Sequence, residues 1–300
     1  MAKRTSADPT GQRVNRARTA RLLNQRLERA RRDIVSLFID IPKSRRTVKA
    51  VNADSQVVYD YDLTPEQVEI LNNRIRAIID EYLLETQTDT MPMRWWYQEQ
   101  VEQPTRQATI EETNRFNRLI VLAIGLGLLG RGGLTPQMIA PEVVLSSKRY
   151  LDALRKVYVD NFQIIKSLSD NTAAQVIRVI NNGIQAGFTP TDIAKNINSR
   201  FDVSQSNAER IARTEVNKAY NDAAIRATKT AEDISGLRSM VRHISALLPG
   251  RTRPHHAARH MNLYTPEAQE AWWNEGSNRI NCYCSIEPVL IDTNGNIIEI

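Results

Sequence analysis

Cysteine is nearly absent from this 300-residue sequence: there are two, Cys282 and Cys284, with a single residue between them. So close a pair cannot build an unstrained disulfide framework, and no third cysteine exists to pair with either, so the expected setting is a reducing compartment. Aromatic residues are also scarce, at 6%. That disfavours an aromatic-rich all-β core and favours helices packed through Leu, Ile, Val and Ala. Long apolar runs are missing as well. The longest, residues 119–130, has 12 residues, whereas a spanning helix needs about 20; it reads as a buried core helix. The opening residues Met1 to Ser6 are polar and lack the apolar run of a secretory signal. Acidic metal ligands at a characteristic spacing are not found. Gly130-Arg131-Gly132-Gly133 has neither the Walker spacing nor a preceding strand, so it reads as a hinge or turn and not as a phosphate loop.

What is present is basic charge, unevenly placed. The net charge is +6, but residues 1–50 hold 14 Lys and Arg against 4 Asp and Glu, while the rest of the chain is slightly acidic. Within that region Ala20, Leu23, Leu27, Ala30, Ile34 and Leu37 recur at helical spacing, so residues 13–38 form an amphipathic helix studded with arginine. Arg13, Arg16, Arg18, Arg21, Arg26, Arg29, Arg31 and Arg32 are its candidate contacts to a polyanion or an acidic protein surface. An ordinary docked helix with a solvated face is the competing reading.

Residues 47–61 read as extended, with Val57-Val58-Tyr59 as an edge strand. Thr64-Pro65-Glu66-Gln67 carries a capping threonine, a first-turn proline and a glutamine at the third position, so a helix begins there. The aromatic stretch Met91 to Tyr97 suits packing or a protein interface better than base stacking. Further helices are expected over 109–129, 147–168, 171–186 and from Thr189 through Ile197. Ser206-x-x-Glu209 has the form of a capping box and predicts a separate helix from Asn207 to about Ala231. Residues 237–248 read as a strand, and the β-branched arms around Asn294-Gly295 as a hairpin. The fold class is therefore mainly α: a helical N-terminal body, then a smaller α+β C-terminal module with a terminal β-hairpin. The divisions expected are a basic arm at 1–50, a helical region at 51–140 and a C-terminal domain at 141–300, helical to about 231 and α+β over 237–300.

Both cysteines and three of the four histidines lie within thirty residues of one another. If a metal is held, His256, His260, Cys282 and Cys284 are its candidate ligands and zinc its chemistry. Metal-site cysteines more often come as Cys-x-x-Cys, and on an extended strand two cysteines one residue apart point to opposite faces unless a turn intervenes. The alternative is small buried thiols beside hydrogen-bonded imidazoles, and no cofactor is the expectation adopted. For catalysis, Glu215, Arg251, Arg253 and His256 supply a base and phosphate clamps for a nuclease-like enzyme. Structural pairing of the same residues is the favoured reading, and the chain is expected not to be an enzyme.

The run Ala208-Glu209-Arg210-Ile211-Ala212-Arg213-Thr214-Glu215, then Arg251-Thr252-Arg253-x-x-His256, then Asn281-Cys282-Tyr283-Cys284-Ser285-Ile286-Glu287-Pro288, resembles the phage Mu F-like head morphogenesis domain of tailed-phage minor head proteins. The resemblance covers about residues 140–290. It implies structural roles for Glu209, Arg213, Glu215, Arg251, Arg253, His256, Cys282 and Cys284. Two departures from the family pattern, Pro249-Gly250 in place of an Asp and Asn278-Arg279-Ile280 in place of a His, remove polar groups and favour those structural roles over chemistry. The implied protein is a virion component inside the capsid near the portal vertex, present in host cytoplasm during assembly. Its implied partners are the portal protein, packaged double-stranded DNA, and major capsid or scaffolding protein, with no membrane.

Overall fold

The computed structural model describes residues 4–48, 56–86, 91–127, 137–292 and 295–298. The amphipathic basic stretch forms α1 (Arg13–Ile39), followed by β1 (Lys43–Val48) and β2 (Gln56–Tyr61), which pair antiparallel with Lys43 opposite Tyr61. In α2 (Pro65–Leu84) the capping box is present as read: Gln67 N donates to Thr64 Oγ1 at 3.3 Å, and Thr64 N donates to Gln67 Oε1 at 2.8 Å. A short helix α3 (Arg94–Trp96) leads through a π-helical turn, Tyr97–Glu102, into α4 (Gln103–Gly125). The helix thus starts six residues before the expected Thr109. The turn Gly130-Arg131-Gly132-Gly133 lies outside the described residues. Beyond it come α5 (Pro141–Leu145), α6 (Lys148–Gln185), α7 (Pro190–Ser235), β3 (Arg238–Ile244), α8 (Pro254–Ala257), β4 (Leu263–Tyr264), α9 (Pro266–Asn274) and β5 (Ser285–Ile291).

Two of the expected helix breaks do not occur. α6 runs through Ser169 and Asp170 without interruption, and α7 runs through Ser206. The physical reason is that nothing between Pro190 and Ser235 stops a helix: there is no glycine and no further proline. The serines are absorbed instead. Ser204 donates to the Arg200 carbonyl one turn back at 3.1 Å, a bond available to serine inside a helix. Ser206 sits exposed in mid-helix, so its Ser-x-x-Glu pattern caps nothing.

The chain divides into two compact units: one of residues 1–19, 95–159 and 212–300, the other of 20–94 and 160–211. In the second, Leu23, Leu27, Ala30, Ile34 and Phe38 of α1 are fully buried, as are Ile75, Ile79 and Leu83 of α2 and Ile193, Ile197 and Phe201 of α7. Side-chain bonds tie its helices together. Arg31 donates to Asn198 Oδ1 at 2.7 Å, Tyr82 to Asp33 at 2.6 Å, Ser169 to Asp80 at 2.6 Å, and the Thr172 and Ser204 hydroxyls meet at 2.9 Å. Gly187, at φ +65, ends α6 and accepts the Tyr59 N–H of β2 at 3.0 Å. A Cβ there would collide with the Val58 side chain, so both the backbone angle and the close approach require glycine.

In the first unit, α4, α7 and a three-stranded antiparallel sheet of order β4-β3-β5 share a core. Ala108, Tyr220, Ala224, Val241, Trp273 and Ile286 form one buried cluster; Phe116, Ile120, Ile139, Ala231 and Leu290 form another. The N-terminal residues are docked here. Arg4 is ion-paired with Glu112 and Glu111, and Arg16, only 5% exposed, bonds Asn217 Oδ1 at 2.7 Å and Asp8 Oδ1 at 2.9 Å. After β5 the chain turns back, with Ile297 bridging to Ile291 and the Ile298 N–H donating to Leu290 at 3.0 Å. The mainly α fold with an α+β C-terminal module is as expected.

Candidate functional site

The residues marked by the sequence meet in the first unit, where the segment before β5 lies against α7 and α8. Asn281 adopts a left-handed conformation, φ +54, which turns the chain sharply ahead of Cys282. Its N–H donates to Thr214 Oγ1 at 3.2 Å, and its side-chain oxygen accepts from Arg213 Nε at 3.1 Å. One and two turns further along α7, Asn217 Nδ2 donates to the Cys282 carbonyl at 2.5 Å and Asn221 Nδ2 to the Cys284 carbonyl at 2.9 Å. Spacing of three and four along α7 thus puts a ladder of polar side chains under the Cys-x-Cys backbone. Sequence reading passed over Asn217 and Asn221. The available signal was their register with Arg213 and Thr214 among buried alanines.

This support makes both thiols converge. His256, on α8 just after the first-turn Pro254, is 2% exposed, and its Nδ1 lies 3.6 Å from Cys282 Sγ and 3.5 Å from Cys284 Sγ. Both cysteines are free and buried. The Cys284 N–H points at Cys282 Sγ, 3.4 Å away, and the Ser245 hydroxyl is 3.7 Å from Cys284 Sγ. The Cys284 thiol is pulled down to about 2, chiefly by the hydrogen bond from Cys282 and also by His256 beside it, while the same thiol–thiol bond, with burial, drives Cys282 up. Trp272 edges both imidazoles, its ring centroid 4.8 Å from that of His256 and 5.3 Å from that of His243.

Arg253 holds the loop before the cysteines. Its two terminal nitrogens donate to the carbonyls of Ser277 at 2.7 Å, Asn278 at 2.9 Å and Ile280 at 3.2 Å. Arg279 ion-pairs with Asp222 of α7 at 2.5 Å. His260 is not with the sulfurs: its Nδ1 accepts the Ser245 N–H at 3.1 Å. Of the remaining marked residues, Arg251 is exposed, Glu215 is buried on α7, and Glu209 lies in the other unit, accepting from Asn24 at 3.5 Å. Of the proposed phosphate clamps, Arg253 is engaged by backbone carbonyls and Arg251 lies exposed at the surface.

Residues 174–287 match the family model described as phage Mu protein F like protein. The chain carries a phage Mu F-like domain. The match runs from the C-terminal half of α6 through α7, β3, α8, β4 and α9 into β5, and includes all the side chains that support Cys282 and Cys284. No curated protein and no solved structure matches the chain. The match spans 114 of the 300 residues, and the Mu F-like family fits a phage head structural protein in general. Among the described residues no helix is long and apolar enough to cross a membrane.

The arginines proposed from sequence as DNA or portal contacts divide into two groups. Arg16 is buried; Arg18 pairs with Glu99 at 2.9 Å, Arg26 with Glu85 at 2.7 Å and the Tyr82 carbonyl at 2.8 Å, and Arg31 with Glu28 and Asn198. Arg13, Arg21, Arg29 and Arg32 are exposed. The last three, eight and three residues apart, share one side of α1, opposite its buried stripe.

Proposed function

We propose that this chain is a minor head protein acting at the portal vertex, where it assists head morphogenesis and DNA packaging or delivery. The observation that supports it best is the Mu F-like match itself, whose motif side chains are engaged in holding backbone: Arg253 three carbonyls, Asn217 and Asn221 one each. Such a domain is a scaffold. The void beside the cysteines, lined by Asn217, Lys218, Asn221, Trp273, Arg279 and Cys282, is about 10 Å³, room for one water and not for a substrate. The partner contact falls to the exposed face of α1. Arg21, Arg29 and Arg32 present charge without base-reading geometry, which suits phosphates of packaged duplex DNA.

Co-expression with the portal protein and major capsid protein tests the reading. The chain should co-purify with portal-containing assemblies and be found in mature virions in far fewer copies than the capsid protein. A chain that associates with neither portal nor assembled heads would overturn it.

A further inference from the structure

The motif residues of the domain account for its backbone, but not for the two thiols and the imidazole packed together behind it. Their candidate ligand atoms, His256 Nδ1, Cys282 Sγ and Cys284 Sγ, all lie within 4.8 Å of one another, and all three residues are buried. A tetrahedral zinc ion, with Zn–S of about 2.3 Å and Zn–N of about 2.0 Å, sets a nitrogen and a sulfur about 3.5 Å apart along a tetrahedral edge. His256 Nδ1 stands 3.6 and 3.5 Å from the two sulfurs.

A fourth group is available on β3. His243 is fully buried, and its Nδ1 lies 3.2 Å from Gln269 Oε1 on α9. An outer acceptor of this kind fixes the tautomer and orientation of a ligating imidazole. It leaves His243 Nε2 buried with no hydrogen-bond partner, a condition that costs free energy unless something occupies it. His243 and His256 both edge Trp272, with ring centroids 5.3 and 4.8 Å from it; His243 stands outside the group of three ligand atoms and has to move in to complete the set. Two thiolates and two imidazoles form a donor set suited to Zn²⁺.

We propose that His243, His256, Cys282 and Cys284 bind one Zn²⁺ per chain as a structural staple. It would join β3, α8 and the segment before β5. The proposal does not depend on the portal reading, since metal content and partner capture are measured separately.

The test uses full-length, untagged, reduced protein purified without added metal. Zinc content should approach one ion per chain. After chelation, Co²⁺ should restore the d–d bands of tetrahedral cobalt with a thiolate charge-transfer band, and Cys284→Ser should lose them. If Cys284→Ser fails to fold, the wild-type protein decides: chelation should lower its Tm, and Zn²⁺ but not Mg²⁺ should restore it. Gln269→Ala, which leaves all four ligands in place, should weaken zinc binding about 10- to 100-fold. Folded, reduced wild-type protein that carries no zinc and gives no thiolate–cobalt bands in excess Co²⁺ would overturn the proposal, as would bands that persist unchanged in Cys284→Ser.

Discussion

Asn217 and Asn221 each place one amide N–H on a buried carbonyl of the Cys-x-Cys segment. Truncation would leave that carbonyl without a partner in a site closed to bulk water, and a stranded buried acceptor costs about 1–3 kcal/mol. Asn221→Ala should lower unfolding free energy by that amount in urea titrations, and Asn217→Ala by more, because Asn217 Oδ1 also accepts from the buried Arg16 guanidinium; since both hold one segment their effects should not add. Equal stability to wild type would mean the segment is held by other contacts. Glu232 shows how burial acts on a single charge. Its carboxylate accepts the Ser239 N–H and hydroxyl, the latter at 2.9 Å, yet burial outweighs those bonds and raises its pKa above 4.5. A carboxyl whose folded pKa is raised contributes stability below its unfolded pKa and loses that contribution as pH rises through the folded value. Glu232→Gln keeps the accepting oxygen and removes the titration. Its stability relative to wild type should therefore rise between about pH 4 and pH 7; a difference that does not vary with pH would show that Glu232 ionises freely in the fold.

At the scale of elements, two patterns of the same form had opposite outcomes. Thr64-x-x-Gln67 caps α2 because Pro65 follows it and an extended chain precedes it, so the threonine is at a real helix start. Ser206-x-x-Glu209 has neither neighbour, and α7 passes through it. Thr64→Ala should cost about 1 kcal/mol, whereas Ser206→Ala, a replacement at an exposed helix interior, should be neutral or stabilising by up to about 0.5 kcal/mol. Thermal melts of the two variants check both signs. The same contrast explains what was legible. The helical stripes from Leu23 to Ile34 and through Val216, Ala219 and Ala223 were readable because burial on one face imposes its period on the sequence; at the end of the first, Phe38 is the buried residue and the expected Leu37 is only half-buried. The convergence of Cys282 and Cys284 on His256 was not. It depends on the left-handed turn at Asn281 and on bonds from Arg213, Asn217 and Arg253, contacts that reach 27 to 68 residues along the chain. Periodicity within a short window carries no trace of them.

At the scale of the whole molecule, the question is which part of a strongly basic N-terminal region meets a partner. Composition treats its arginines alike; the fold does not. Arg16 is buried, and Arg18, Arg26 and Arg31 have acidic partners within the chain. A guanidinium already paired gains little by exchanging one anion for another, so these four should matter for stability and little for duplex binding. Arg21, Arg29 and Arg32 are exposed on one side of α1 and can neutralise phosphates without disturbing the core beneath them. Each phosphate contact contributes about 0.9 to the slope of log affinity against log salt on duplex DNA. Arg21→Gln, Arg29→Gln and Arg32→Gln combined should therefore reduce that slope by about 2.7 while leaving the Tm nearly unchanged. Arg16→Gln should do the reverse, lowering the Tm by breaking a buried ion pair and leaving the slope as it was. Fluorescence anisotropy with a labelled duplex of arbitrary sequence, repeated across a salt series, reads the first quantity, and a thermal melt reads the second. If the triple variant keeps the wild-type slope, duplex DNA does not bind this face, and an acidic protein surface becomes the partner to test there.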